Sequence, residues 1–231
     1  MQKLRGLNDR IVSSITHEPL NKLLHPVSVF SKNIGDLLSL GERLSRLDYR
    51  AESTLNVVDF DDTLYSRYEQ LQLKGFQDNR GEMGNKFVRE NFGFRKFIEK
   101  FYSRSRAVEK ILGVVESQTE THTSLILTAG MQDLQELKVD SLDICRESVA
   151  LITVDFALKK PLELIKYIID TLKYVPGKII IYEDKPECFE GEMQSIRQLL
   201  PKTEIVVDKV FLNPPGMMKQ IHSIEQNIYK V

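Results

Sequence analysis

Five short apolar runs, separated by stretches with helical spacing, constrain the fold more than any other feature of this sequence. They are rich in Ile, Val and Leu and lie at 55–60, 124–128, 149–154, 178–182 and 204–210. Short apolar runs of this kind are typical of buried strands. Strands that alternate with helices favour a parallel sheet covered by helices on both faces. We therefore predict an α/β fold with five parallel strands.

Two of the intervening stretches have a clear helical period. In 160–173 the apolar residues recur at steps of three and four, and Pro161 suits the first turn of a helix. The pair Pro176-Gly177 is expected to end that helix. The stretch 189–200 has the same spacing and predicts a second helix.

The first 54 residues precede the first strand and form a predicted helical extension, with the catalytic domain at 55–231. An apolar face predicts a helix across 33–48, and it consists of Ile34, Leu37, Leu38, Leu44 and Leu47. We expect this helix to pack on the domain. A partner-binding helix is the alternative.

The segment 65–106 is longer than a plain crossover between two strands and is predicted to be a flap or small cap. Residues 79–85 are rich in Gly and Asn and suggest a loop, whereas the later apolar residues suggest helix. The segment has ten Lys and Arg against five Asp and Glu, within a chain whose formal net charge is −1. A local basic surface is therefore the feature that could attract an anionic partner.

Composition narrows the class of protein. The chain is 42% hydrophobic, which is enough for a core, and its near-zero charge gives no global signal for nucleic acid. Its two cysteines, Cys145 and Cys188, form no disulfide framework, so we expect a reducing, intracellular compartment. No apolar run is long enough to span a membrane. The N-terminal residues favour a polar arm over an organellar transit peptide, and the transit peptide is kept as the alternative.

The run 57–64, Val-Val-Asp-Phe-Asp-Asp-Thr-Leu, carries the chemistry. A buried strand ends at Asp59, and Asp61 follows two residues later. Carboxylates beside an apolar strand are costly unless something such as a divalent cation compensates them. One of the two could attack phosphorus while the other handles a proton. The alternative is a turn in which Asp61 or Asp62 caps the next residues.

The sequence pattern extends beyond these two aspartates. The run 57–64 resembles motif I of the haloacid dehalogenase (HAD) superfamily, and three further motifs follow in order. Thr128, at the end of the second run, is similar to motif II. Lys160 before Pro161 resembles the motif III lysine, with Lys159 as the alternative. The acidic pair Glu183-Asp184 after the fourth run resembles motif IV.

The resemblance implies a Rossmann-like fold with strand order 5-4-1-2-3. It implies Asp59 as nucleophile and Asp61 as the acid and base. Thr128 would bind a phosphate oxygen and Lys160 would offset charge, and Glu183 is expected nearby. Mg²⁺ is implied as the cofactor, held by the Asp59 carboxylate, the Asp61 backbone carbonyl and Asp184. Asp62 is expected to form a local turn.

The HAD resemblance implies an Mg²⁺-dependent phosphomonoester hydrolase. The alternatives are a non-catalytic binding or regulatory protein on the same scaffold, and a phosphatase for small metabolites or nucleotides. The modest cap and the basic 65–106 segment favour a phosphorylated macromolecule, either a nucleic-acid end or a phosphoprotein. Arg67, Arg80 and Lys86 are the candidate phosphate contacts.

Overall fold

The computed structural model describes residues 34–67, 70, 82–212 and 221–229. The strands of this region are β1 (Asp48–Val58), β2 (His122–Ala129), β3 (Ala150–Val154), β4 (Tyr174–Glu183), β5 (Glu204–Leu212) and β6 (Ile221–Tyr229). The helices are α1 (Ile34–Ser45), α2 (Glu82–Asn91), α3 (Phe94–Phe101), α4 (Glu109–Glu116), α5 (Gln132–Asp140), α6 (Lys160–Tyr167), α7 (Glu187–Glu190) and α8 (Met193–Leu199). No helix of this described region is long and apolar enough to cross a membrane.

All six strands form one sheet in the order β3-β2-β1-β4-β5-β6. The first five are parallel to one another, so the predicted strand order 5-4-1-2-3 and the α/β fold class are confirmed. The sequence analysis missed β6, which pairs antiparallel with β5. Strands β1 and β4 are neighbours although β2 and β3 separate them in the sequence. This arrangement creates the chain reversal at which α/β sheets bind ligands.

The two faces of the sheet belong to two separate apolar clusters. Alternate residues of β1 divide between them, since Leu55 and Val57 lie in one cluster and Val58 in the other. Helices α1, α6, α7 and α8 contribute to the first cluster, and α2, α3, α4 and α5 contribute to the second. Both faces are therefore covered, as the continuous apolar runs of the strands require.

Helix α1 packs on the first cluster, as expected, and Leu37 and Leu44 of the predicted face pack there, as does Leu47 just after the helix. Leu40 and Leu44 are buried there, whereas Leu38 is 69% exposed. Strand β1 begins at Asp48, well before the predicted start at residue 55, because its polar first half still pairs with β4. It therefore continues across the predicted boundary between extension and domain. Residues 1–33 of the extension lie outside the described residues.

The predicted helix end at Pro176-Gly177 is wrong. Helix α6 continues as a π-helical segment, Ile168–Leu172, and ends at Lys173, whose φ is 60°. Pro176 and Gly177 lie within β4, next to an irregularity in its pairing with β1. A Cβ at Gly177 would lie 2.0 Å from the Ala51 carbonyl oxygen, so this close approach of two strands requires glycine.

Two other predicted elements differ in detail. The predicted helix 189–200 is two helices, α7 and α8, with Gly191 and Glu192 between them. In the 65–106 segment α2 begins at Glu82, so the predicted loop 79–85 is helical from that residue onward. Helix α3 then buries Phe97, Ile98 and Phe101 in the second cluster. The described part of this segment is thus built into the layer of helices beside the sheet.

Candidate active site

The candidate site lies where β1, β2 and β4 end on the same edge of the sheet. Asp59 directly follows β1, and its backbone N–H donates to the Tyr182 carbonyl of β4 at 3.0 Å. Glu183 is the last residue of β4, with Asp184 next to it. Thr128 lies one residue before the end of β2. Four of the predicted site positions therefore come together at the reversal point of the sheet.

Lys160 joins two of the acidic residues. Its Nζ donates to Asp59 Oδ1 at 2.7 Å and to Glu183 Oε2 at 2.6 Å, and all three side chains are at least 94% buried. Lys160 is the first residue of α6, where Pro161 fits the first turn. Lys159 instead pairs with Asp155 at the surface. Between the two predicted lysines, the structure therefore brings Lys160 to Asp59.

Asp59, Glu183 and Asp184 form a compact group of carboxylates. Oxygen atoms of all three lie within 4.8 Å of one another. We call these residues, together with Lys160, the acidic cluster. Burial and the nearby Asp59 raise the pKa of Glu183 and also that of Asp184. For Lys160, burial alone would lower the pKa, but Asp59 and Glu183 outweigh burial and raise it.

The donor set of the acidic cluster suits a hard divalent cation. It contains only carboxylate oxygens, the ligands that Mg²⁺ prefers. Three ionised carboxylates and one ammonium carry a net charge of −2, which a divalent ion would balance. Glu183, expected only nearby, belongs to this set, whereas the Asp61 carboxylate does not. The sequence signal for Glu183 was its place at the end of an apolar strand beside Asp184.

Asp61 is held by a lysine that the sequence analysis missed. Lys138, on α5, donates to Asp61 Oδ1 at 2.9 Å and to Oδ2 at 2.7 Å. Arg67 Nε lies 4.0 Å from Asp61 Oδ1. Burial opposes ionisation of Asp61, but Lys138 and then Arg67 outweigh it and lower the pKa of the carboxyl. No local pattern in the sequence indicated this ion pair, because Lys138 and Asp61 are 77 residues apart in the chain.

Asp62 forms the local turn that was expected. Its φ is 64°, and its N–H donates to the Tyr65 carbonyl at 2.7 Å. Its carboxylate accepts from the Arg67 backbone N–H at 2.9 Å and from the guanidinium Nε at 3.0 Å. Asp61, Asp62, Lys138 and Arg67 together are called the Asp61 cluster below.

The other residues predicted to contact a phosphate group are Thr128, Arg67, Lys86 and Arg80. Thr128 is 1% exposed, and its hydroxyl has no hydrogen-bond partner within the part of the chain that the structure describes. Arg67 contacts Asp62, as described above. Lys86 is 72% exposed and lies 3.8 Å from Glu90. Arg80 lies outside the described residues.

No protein-family model and no curated protein sequence matches this chain. Among solved structures, it is similar to the HAD domain of the effector protein Lem4 from Legionella pneumophila. The identity is 9% and the TM-score is 0.41, over 74% of this chain and 91% of that chain. A similarity this weak does not bear on activity, so the functional inference depends on the residues of this chain.

Proposed function

We propose that this chain hydrolyses phosphomonoesters through a phosphorylated Asp59. The observation that carries the proposal is the acidic cluster at the sheet reversal, with a buried ammonium 2.7 Å from Asp59 Oδ1. A carboxylate that attacks an anionic phosphate must have its charge and that of the substrate offset. Lys160 is fixed where it can do this for Asp59.

In the first half of the reaction, an oxygen of Asp59 attacks phosphorus. The bond from phosphorus to the ester oxygen breaks, and its electron pair stays on that oxygen, which takes a proton from the Asp61 carboxyl group. In the second half, water attacks the phosphorus while Asp61 takes a proton from it. The bond to Asp59 breaks, its electron pair returns to the carboxylate, and inorganic phosphate leaves.

The buried hydroxyl of Thr128 supports the same proposal. Burying a hydroxyl without a partner costs free energy, so such a group calls for a ligand. A phosphate oxygen is the acceptor that this reaction would supply at the end of β2.

Mg²⁺ is the proposed cofactor. Asp59, Glu183 and Asp184 would hold it, and the backbone carbonyl of Asp61 stays a proposed fourth ligand. When bound, the ion would polarise a phosphate oxygen and offset the charge that develops on it.

The test is release of inorganic phosphate from an aryl phosphate, with and without Mg²⁺. Asp59→Asn keeps the size of the side chain and removes the nucleophile, so turnover should fall to background while the circular dichroism spectrum is unchanged. Lys159→Met is the matched control, because Lys159 is adjacent in sequence but pairs with Asp155. Wild-type turnover in Asp59→Asn contradicts the proposal.

A second candidate function is phosphate binding without turnover, on the same scaffold. The ion pair with Lys138 favours it, because the lowered pKa of Asp61 opposes its role as a proton donor. Such a protein would bind Mg²⁺ with beryllium fluoride, a phosphate analogue, at Asp59 and still release no phosphate. Binding and turnover measured on one sample separate the two functions.

For the substrate we propose a phosphorylated macromolecule, with a nucleic-acid end or a phosphoprotein as the two classes to compare. The support is the basic excess in 65–106 and the exposure of Lys86. Arg67 already binds Asp62, so Arg80 and Lys86 are the better candidates for contact with a polyanion. A panel of sugar phosphates, nucleotides, phosphopeptides and end-phosphorylated oligonucleotides tests this choice. Preference for a small metabolite would favour the alternative class of phosphatase.

A further inference from the structure

Arg89 is an exposed cation in the last turn of α2, and its guanidinium has no carboxylate partner among the residues that the structure describes. Its hydrogen bond goes to a thioether, with Nη2 3.9 Å from the Met131 Sδ. A thioether is a weak acceptor, whereas a guanidinium has five N–H donors. Most of the donors of Arg89 and its whole charge are therefore available to a ligand.

The contact with Met131 holds Arg89 at the rim of the candidate active site. Met131 follows Gly130 in the loop after β2, three residues beyond Thr128, whose buried hydroxyl is the proposed contact for a phosphate oxygen. Three residues of backbone span at most about 10 Å. Arg89 belongs to neither the acidic cluster nor the Asp61 cluster, so the proposed reaction leaves its charge without a role.

An aromatic ring limits the movement of this guanidinium. The Arg89 Cζ lies 5.4 Å from the centre of the ring of Phe94, a partly buried residue that begins α3. A cation held over a ring has fewer conformations to lose when it binds an anion. The planar fork of N–H donors suits two oxygens of one phosphate group.

We propose that Arg89 binds a second anionic group of the substrate, namely the phosphodiester next to the terminal phosphate of a single nucleic-acid strand. This rests on the proposed function, because it names the part of the substrate beyond the phosphate that is released. The terminal phosphate would occupy the end of β2 and the acidic cluster, and the next phosphate along the strand would lie at Arg89.

The cations that follow Arg89 favour a nucleic acid over an acidic phosphopeptide. Arg95 and Lys96, at the start of α3, are exposed, and neither has an ion pair within the described part of the chain. They directly follow Phe94, so they continue the positive surface that begins at Arg89. A nucleic-acid strand carries a charge at every nucleotide, and surfaces that bind single strands combine cations with aromatic rings.

The experiment compares a dinucleotide that carries a terminal phosphate with the same dinucleotide whose internal linkage is an uncharged methylphosphonate. One pair of substrates has the terminal phosphate at the 5′ end and a second pair has it at the 3′ end. We measure kcat/KM for phosphate release with Mg²⁺ present, in the wild-type chain, Arg89→Met and Arg46→Met. Arg46 is the matched control, because it follows α1 on the other face of the sheet and pairs with Glu42.

The quantity that tests the proposal is the ratio of kcat/KM for the charged dinucleotide to that for its methylphosphonate. In the wild-type chain this ratio should be about fivefold in at least one pair, the effect of one exposed charge pair. In Arg89→Met it should fall to about 1, because the charge of the linkage has lost its partner. In Arg46→Met it should keep the wild-type value.

A wild-type ratio of 1 in both pairs overturns the assignment of Arg89 and leaves the phosphatase proposal standing. So does a ratio that Arg89→Met leaves unchanged, because an equal loss on both substrates would mean that Arg89 contacts the terminal phosphate. Wild-type release from an aryl phosphate and from a phosphopeptide with a neighbouring acidic residue, but from neither pair of dinucleotides, also overturns it and favours a protein substrate. A wild-type chain that releases no phosphate from any of these substrates overturns both proposals.

Discussion

The acidic cluster and the Asp61 cluster lie on the same edge of the sheet and are balanced in opposite ways. In the acidic cluster, Lys160 pairs with Asp59 and Glu183, and its ammonium and the three carboxylates carry a net charge of −2 when all are ionised. The third carboxylate, Asp184, is paired with Lys185, which is 68% exposed and lies 3.4 Å away. In the Asp61 cluster, the charges of Asp61 and Asp62 are matched by Lys138 and Arg67.

The pKa shifts follow this difference. Burial acts on both clusters, and it raises the pKa of Glu183 because Lys160 does not outweigh burial and Asp59 together. In the Asp61 cluster the cations outweigh burial, so the pKa of Asp61 is lowered. The acidic cluster could therefore hold one more cation, whereas the charges of the Asp61 cluster are already matched and fix the Asp61 side chain in place.

The largest effect should come from Lys160→Met. It leaves Asp59 and Glu183 buried without their ammonium, and breaking a buried ion pair from one side costs about 3–5 kcal/mol of folding free energy. Urea denaturation without Mg²⁺ measures the loss, and phosphate release should fall to background. Because the net charge of the cluster becomes −3, added Mg²⁺ should restore part of the stability. A variant as stable as wild type without Mg²⁺ contradicts this account of the cluster.

Lys138→Met should lower stability by a somewhat smaller amount, about 3 kcal/mol, because its partner Asp61 is 15% exposed. The comparison predicts two differences from Lys160→Met. Added Mg²⁺ should give no special recovery, and Asp61→Asn in the same chain should restore much of the loss. Denaturant midpoints of the two single variants and the double variant measure both. A recovery with Mg²⁺ equal to that of Lys160→Met would show that the clusters are not independent.

Mg²⁺ should stabilise the wild-type chain through the acidic cluster. An ion that binds only the folded state adds about 2.7 kcal/mol at a hundred times its dissociation constant. Asp184→Asn removes one donor of the set, so the thermal midpoint of this variant should respond much less to Mg²⁺. Glu187→Gln is the control, since this exposed acid lies just beyond the cluster and outside the donor set. An equal Mg²⁺ response in wild type and Asp184→Asn would place the ion elsewhere.

The acidic cluster could be predicted from sequence because topology brings its members together. Asp59 and Asp184 each follow an apolar strand, and the order of parallel strands decides which strand ends are neighbours. Lys160 was predicted because the run before Pro161 resembles the motif III lysine at a helix start, and the structure has a helix that begins there after β3. Each of these signals is a local sequence pattern, and the sheet order that the resemblance implied says which strand ends lie side by side.

The Asp61 cluster could not be predicted in the same way. Lys138 lies in the last turn of α5, and a lysine there is ordinarily a solvated residue near the negative end of a helix. Only the packing of α5 against the sheet and α3 decides that it is buried beside Phe60 and Tyr102. The exposed Leu38 and the strand that contains Pro176 illustrate the same limit, because tertiary contacts override local pattern there.

The smallest effect concerns the surface beyond both clusters, where Lys86 is exposed on α2. If this surface binds a polyanion, Lys86→Glu should leave turnover of an aryl phosphate unchanged and lower kcat/KM for an end-phosphorylated oligonucleotide. Loss of one phosphate contact should also make the slope of log kcat/KM against log salt concentration less steep by about 1. Lys202→Glu makes the same change in charge just before β5, at the amino ends of the parallel strands and so away from the candidate site, and should leave the slope unchanged. Equal slopes for both variants and the wild type would mean that the macromolecular substrate, if there is one, does not contact α2.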